Sequence, residues 1–299
     1  MNEDVAKVHG DGTLVDGSVR VVDYDETDNN LLVRGSSAFG ATNFTMERFL
    51  KDIKNDHNFP SGKITLSDNP QIVDFCLIGF GIGSKDEKIV HAEISWFTSD
   101  KTSINGNSGP YPTYISATNS GIASGTTMVY WPIQSLDTKL LTAVCDTWSS
   151  SPANSIGQGS NNDGFDYTGL ISAIWNALQN QVANLPNAPA GLASIKDAII
   201  YIHCDSGVNR TGAAVAGYLM TYGTNVSGMK LPSTNGVPYT LTQAQTAANS
   251  APPSNDSPPG GVDIPVAQAY CNFIYTKNID GSLIEACLPL ADKSRTDPD

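Results

Sequence analysis

Arginine is scarce in this chain: five residues (Arg20, Arg34, Arg48, Arg210 and Arg295) among 299. Lys and Arg together number 17 against 30 Asp and Glu, for a formal net charge of −13. A nucleic-acid or anionic-membrane surface needs clustered basic side chains, so an acidic chain argues against both partners. No apolar run approaches the roughly 18 residues of a transmembrane helix. The opening MNEDVAKVHG is polar and acidic and does not read as a signal peptide. The five cysteines (Cys76, Cys145, Cys204, Cys271, Cys287) are odd in number, irregularly spaced and without a CxxC. A disulfide framework and a zinc ribbon are therefore not expected. Four of them read as small buried hydrophobes, and Cys204 needs a separate account. His9, His57 and His91 lack ligand spacing, and GFGIGS at 79–84 is neither a GxGxxG nor a Walker motif. No metal or cofactor is expected.

What is present is a globular composition, with 40% hydrophobic and 16% charged residues. The length gives one or two domains, and no shift in composition divides the chain. Residues 1–28 read as a polar tail with one short strand at Val19–Val22, and 29–299 as a single domain. Met46, Phe49, Leu50 and Ile53 keep helical spacing and predict a helix over Thr45–Asn55. Strands are expected at KITLSDN (63–69), Ile72–Ile78, Ile89–Phe97 and TTMVYWPI (126–133). Residues 98–126 read as loop or short strands. Thr138–Trp148 reads as a short helix and 149–164 as a loop. Tyr167–Ala183 is amphipathic and helical. Ala198–His203 (AIIYIH) is a continuous apolar run that fits a buried central strand. Helices are expected at Arg210–Tyr222 and Pro265–Thr276. The Pro-rich stretch at 250–261 can be neither helix nor central strand. The alternation predicts an α/β fold.

The chemistry concentrates in YIHCDSGVNRTG, residues 201–212. A buried strand ends at His203. Cys204 follows, then Asp205, Ser206, Gly207, Val208 and Asn209, then Arg210 and Thr211 opening a helix. A five-residue loop between a strand and a helix N-terminus can curl so that its N–H groups converge on one anion, and Gly207 permits the positive φ this needs. The helix dipole adds positive potential there. Arg210, on the first turn, can grip two phosphate oxygens. The same field favours the thiolate of Cys204, a nucleophile toward phosphorus. Thr211 can donate its hydroxyl to that sulfur. His203 is expected to hold the loop through the backbone rather than to act as a base.

The pattern HCxxGxxR(S/T) is similar to the signature of the cysteine-based protein-tyrosine-phosphatase superfamily. The resemblance implies a tyrosine-phosphatase-like central mixed sheet flanked by helices and a metal-free phosphocysteine mechanism, with Cys204 as nucleophile and Arg210 binding phosphate. HCDSGVNRTG more closely resembles the bacterial tyrosine-phosphatase-like phytases, which hydrolyse inositol phosphates. LVRGSSAFGATNFTMERFLKDI resembles their GSxxFS segment and helix. PSGKITLSDNPQIVDFCLIGFGI and AEISWF resemble their KIYVVDLRQE and VSWY segments, although their Arg-Glu pair is missing from SDNPQIVD.

The leaving oxygen needs a proton, which one carboxylic acid above the loop can supply. Two residues compete. Tyr130 to Asp137 matches the phytase pattern YxRIPxxD, which ends in the acid, yet lies far upstream of Cys204. Asp163 lies directly ahead of the helix that precedes the nucleophile strand. An insertion near 138–165 would reconcile the two; Asp166 is a third, weaker choice. Each also fits a plain structural role, as Asp137 and Asp166 do as helix N-caps. Gln243 and Gln245 could position water, but an exposed polar helix face is the simpler reading. Lys230 reads as surface. The sequons at Asn43 and Asn225 matter only for a secreted chain.

The function expected is a metal-independent phosphomonoesterase acting on inositol phosphates or phosphotyrosine, so the partner is a phosphorylated small molecule or phosphoprotein. An RNA 5′-triphosphatase is the alternative suggested by NRTG, and a catalytically inactive phosphate-binding module is another. Thiolate chemistry suits a reducing cytosol, that of the producing cell or, for an exported protein, of a host.

Overall fold

The computed structural model describes residues 19–41, 43–79, 85–99, 112–132, 167–205, 207, 209–223, 239–248, 267 and 270–271. Six strands form one mixed sheet: β1 (Arg20–Asp25), β2 (Asn30–Ser36), β3 (Gln71–Cys76), β4 (Thr113–Ser116), β5 (Thr127–Tyr130) and β6 (Ala198–Cys204). Their spatial order is β1-β2-β6-β3-β5-β4. The inner strands β2, β6, β3 and β5 run parallel, and β1 and β4 pair antiparallel at the edges. Among the described residues, five α-helices flank the sheet: α1 (Met46–Asn55), α2 (Lys85–Phe97), α3 (Tyr167–Leu178), α4 (Asn209–Tyr222) and α5 (Leu241–Ala248). The fold is α/β.

Every residue of β6 is buried, as a strand covered on both faces requires. Side chains alternate across a strand. Ile200, Ile202 and Cys204 join the core formed with α3, α4 and α5. Ile199 and Tyr201 join the opposite core with α1 and α2. The nucleophile candidate and the preceding His203 thus leave β6 on opposite faces. Asn30 anchors the start of this strand. Its amide donates to the Leu178 and Ile195 carbonyls at 3.0 and 2.9 Å and accepts from the Ala198 N–H at 3.1 Å.

Helix α1 matches expectation, with Thr45 as the N-cap accepting from the Arg48 N–H. Several expectations need correction. The segment Ile89–Phe97 is helical, within α2: Val90, Ile94 and Phe97 are buried at i, i+4, i+7, so helical periodicity overrides the strand propensity of its β-branched and aromatic residues. KITLSDN forms no strand. It buries Ile64 and Leu66, but its backbone at Thr65 bonds the Asn29 side chain at 2.9 and 2.8 Å instead of a ladder. The expected polar tail over 1–28 is cut by β1, an edge strand of the sheet longer than Val19–Val22. Finally, Cys271 is disulfide-bonded, while Cys76 and Cys204 are free and buried. Helix α3 ends at Leu178 rather than Ala183, because Asn180 turns left-handed at φ 53°. The expected helix at 138–148 and loop at 149–164 lie outside the described residues. Of the expected helix at 265–276, Ala267, Tyr270 and Cys271 are helical. Among the described residues, no helix is long and apolar enough to cross a membrane.

Asp23 is a carboxylate buried within the sheet. Asp23 on β1 accepts from the Tyr218 hydroxyl at 2.6 Å and the Tyr24 N–H at 2.8 Å. Burial outweighs both bonds and raises its pKa from the ordinary 3.8 to about 7. A carboxyl whose pKa is higher when folded stabilises most while protonated, and that stability is lost as pH rises from about 4 through 7. At about 1.4 kcal/mol per pH unit the loss is on the order of 4 kcal/mol. Asp23→Asn should therefore raise the thermal midpoint at pH 8 and change it little at pH 4, read by circular dichroism melts at the two pH values.

Candidate active site

The site is built where β6 ends. Cys204 is its last residue, and α4 begins five residues later at Asn209. Between them Gly207 has φ 72°. A Cβ at this position would sit 2.2 Å from the Gly35 carbonyl oxygen and 2.6 Å from the Ser36 nitrogen. Glycine is needed here both for its backbone conformation and for its lack of bulk. Gly35 has the same problem from the other side, since a Cβ there would meet the Tyr201 hydroxyl at 2.1 Å. The GSSAF segment at the end of β2 is therefore the wall against which the loop is pressed.

Two carbonyls of the loop are tied to that wall. The Ser37 N–H donates to the Asp205 carbonyl at 3.0 Å. Arg34, on the face of β2 that bears Leu32, donates from one guanidinium nitrogen to the Gly207 carbonyl and from the other to the Ala248 carbonyl at the end of α5. Burial lowers the Arg34 pKa to about 10, with the Cys204 sulfur opposing the fall. It stays cationic at neutral pH.

Arg210, on the first turn of α4, reaches across to the neighbouring strand. Its guanidinium lies 3.5 Å from the Leu77 carbonyl and 3.5 Å from the Asp86 carboxylate at the start of α2. Burial works against its charge, but Cys204, Asp86, Cys76 and Asp205 outweigh it and raise its pKa. The Cys204 sulfur therefore lies within electrostatic reach of two guanidinium groups. Thr211 is fully buried, and its hydroxyl has no hydrogen-bond partner among the described residues.

His203 points to the other face. Its Nδ1 lies 3.2 Å from the Cys204 carbonyl, the backbone role expected of it. Its Nε2 lies 3.2 Å from both the Asp74 and the Glu93 carboxylates, and all three side chains have no exposure. The Cys76 thiol donates to Glu93 at 3.3 Å, and the Ser37 hydroxyl donates to the same carboxylate at 3.3 Å. Burial raises the pKa of Asp74, and that of Glu93 to about 8, each against the pull of His203. Burial lowers and the two carboxylates raise the His203 pKa, and the carboxylates prevail.

The fold thus brings His203, Cys204, Asp205, Gly207, Arg210 and Thr211 together at one strand-to-helix turn. Asn209 is the first residue of α4. Ser206, Val208, Asp137, Asp163, Asp166, Lys230 and Asn225 lie outside the described residues. Gln243 caps its own helix, accepting from the Thr240 N–H at 2.9 Å. Gln245 is buried, so the exposed polar face expected for it is corrected. Arg34, Asp86, Asp74, Cys76 and Glu93 were not singled out by the sequence. Only Arg34 carried a signal, being one of so few arginines and lying in the GSSAF-containing segment. No family model, curated protein or solved structure matches the chain.

The packing of Gly207 against Gly35 generates a test. Gly207→Ala demands an unfavourable φ and a clash with the Gly35–Ser36 backbone. It should lower the thermal midpoint, at a cost of about 1–3 kcal/mol for the strained φ alone, while Gly62→Ala, at φ 80° with open space around it, shows the conformational cost without the clash. Equal melting curves for the two variants would contradict the packing described.

Proposed function

We propose that the chain is a cysteine-dependent phosphomonoesterase with the tyrosine-phosphatase-like fold, acting on phosphate esters of the inositol phosphate or phosphotyrosine type. The observation that supports this most is the loop itself. A left-handed Gly207 stands between Cys204 and Arg210, and the Asp205 and Gly207 carbonyls are held by Ser37 and Arg34. Those carbonyls are the loop groups that would repel an anion. Engaging them with donors from β2 leaves the cationic groups and the helix N-terminus to attract one.

In this reading the Cys204 thiolate attacks phosphorus in line with the ester oxygen. The S–P bond forms as the P–O bond breaks. The leaving oxygen takes a proton from an aspartic acid, for which Asp137 and Asp163 are the sequence candidates. Arg210 binds two equatorial phosphate oxygens and stabilises their charge in the transition state. Thr211 donates its unused hydroxyl to the departing thiolate when water, deprotonated by the same aspartate, displaces sulfur from phosphorus and releases inorganic phosphate. The Asp86 carboxylate and the Leu77 carbonyl position Arg210 without touching substrate.

The test is turnover of phytate and of a phosphotyrosine peptide by the wild type, Cys204→Ser and Arg210→Lys. Cys204→Ser should abolish phosphate release and covalent phosphate labelling of the protein, while still binding substrate. Arg210→Lys should lose about 10²–10³-fold in kcat. Phosphate release by Cys204→Ser at the wild-type rate would overturn the mechanism. Tight binding without turnover by the wild type would instead make the chain a phosphate-binding module.

A further inference from the structure

The side chains behind the loop form a second constellation that the esterase chemistry does not use. Asp74 and Cys76 alternate onto one face of β3, Cys76 pairs with His203 across the ladder, and Glu93 descends from α2. Donor atoms of Cys76, Glu93 and His203 all lie within 4.8 Å of one another, and all three residues are buried. Asp74 stands beside this group, 3.2 Å from the same His203 nitrogen.

The hydrogen-bonding logic of His203 singles out this cluster. The Cys204 carbonyl can only accept, so Nδ1 carries a proton. Nε2 lies 3.2 Å from both the Asp74 and the Glu93 carboxylates, and it and both Asp74 oxygens are buried without a hydrogen bond of good geometry. Two buried carboxylates at this nitrogen require a cation, either the second proton of an imidazolium or a metal ion in its place. An imidazole whose other N–H is fixed by a carbonyl is the usual form of a metal-ligating histidine.

We propose that Cys76, Glu93 and His203, with Asp74 beside them, bind a zinc ion behind the Cys204 loop. The donor set of thiolate, imidazole and carboxylates suits Zn²⁺. With bonds of about 2.0–2.3 Å, tetrahedral ligands stand roughly 3.3–3.8 Å apart. His203 Nε2 stands 3.2 Å from an Asp74 oxygen and from Glu93 Oε1, and Cys76 Sγ stands 3.3 Å from Glu93 Oε2, distances close to such edges. The three ligands and the neighbouring Asp74 are closed off from solvent, so the ion is structural. It would fix the end of β6, and with it the backbone of Cys204, through the Nδ1 contact. The site is independent of the phosphatase reading, since it lies on the opposite face of β6 and uses none of the residues that would touch phosphate.

Cobalt supplies the readout. The purified full chain, stripped with a chelator, is titrated anaerobically with Co²⁺ and then with Zn²⁺. Expected is one equivalent of cobalt, with the thiolate-to-metal charge-transfer absorption and strong visible bands of a tetrahedral thiolate site, displaced by zinc. Cys204→Ser should leave the spectrum and stoichiometry unchanged. Cys76→Ser should lose the charge-transfer band, and Glu93→Gln should keep it with affinity at least about tenfold weaker. Wild type without a charge-transfer band would overturn the site and leave a proton as the occupant of Nε2. A band lost in Cys204→Ser, or untouched affinity in Glu93→Gln, would equally overturn it, and these two variants decide the matter even if Cys76→Ser fails to fold.

Discussion

The contact between Gly207 and the Gly35–Ser36 backbone is the constraint on which the rest of the site depends. The chain must leave a parallel strand, reverse within five residues and start a helix. It can do so at this spot only if two segments far apart in sequence touch through bare backbone. Once they touch, the loop carbonyls fall within reach of Ser37 and Arg34. The turn is then held by β2 and the end of α5 as well as by its own residues. A loop held from several elements loses little further entropy on binding, which is what preorganisation means physically.

The strict alternation of β6 divides the labour around that turn. Cys204 faces the helical layer that supplies Arg210 and Thr211, along with the small residues Ala213, Ala214 and Ala216 that let α4 lie close to the sheet. His203 faces the other layer, where α2 brings a carboxylate into the core. Adjacent residues thereby serve separate ends: one presents sulfur to the loop, the other secures the backbone from behind. A single-residue slip in the β6 register would exchange them and destroy both arrangements. The register is secured by the parallel pairing of β6 with β2 and β3 along its whole length.

Helix α2 illustrates why part of this was hidden in the linear text. KDEKIVHAEISWF contains Ile, Val, Trp and Phe in a pattern that satisfies strand propensity over any short window. Its helical phase, Val90, Ile94 and Phe97, puts Glu93 on the buried side as well, and a buried glutamate is expected only where a partner awaits it. That partner, His203, is over a hundred residues away. Asp86 escaped notice for the same reason, because its worth comes from Arg210 across the top of the sheet.

What the sequence determined by itself was local. The run AIIYIHC, the glycine two residues before the helix and the arginine on its first turn specify strand, turn and helix through short-range hydrophobic patterning and backbone sterics. The tertiary structure decided which side chains gather around that turn. Arg34, Asp74, Cys76, Asp86 and Glu93 come from three other elements, brought close by a sheet order that places β6 between β2 and β3. Strand order follows from the packing of both faces at once, a global property that no window of residues contains.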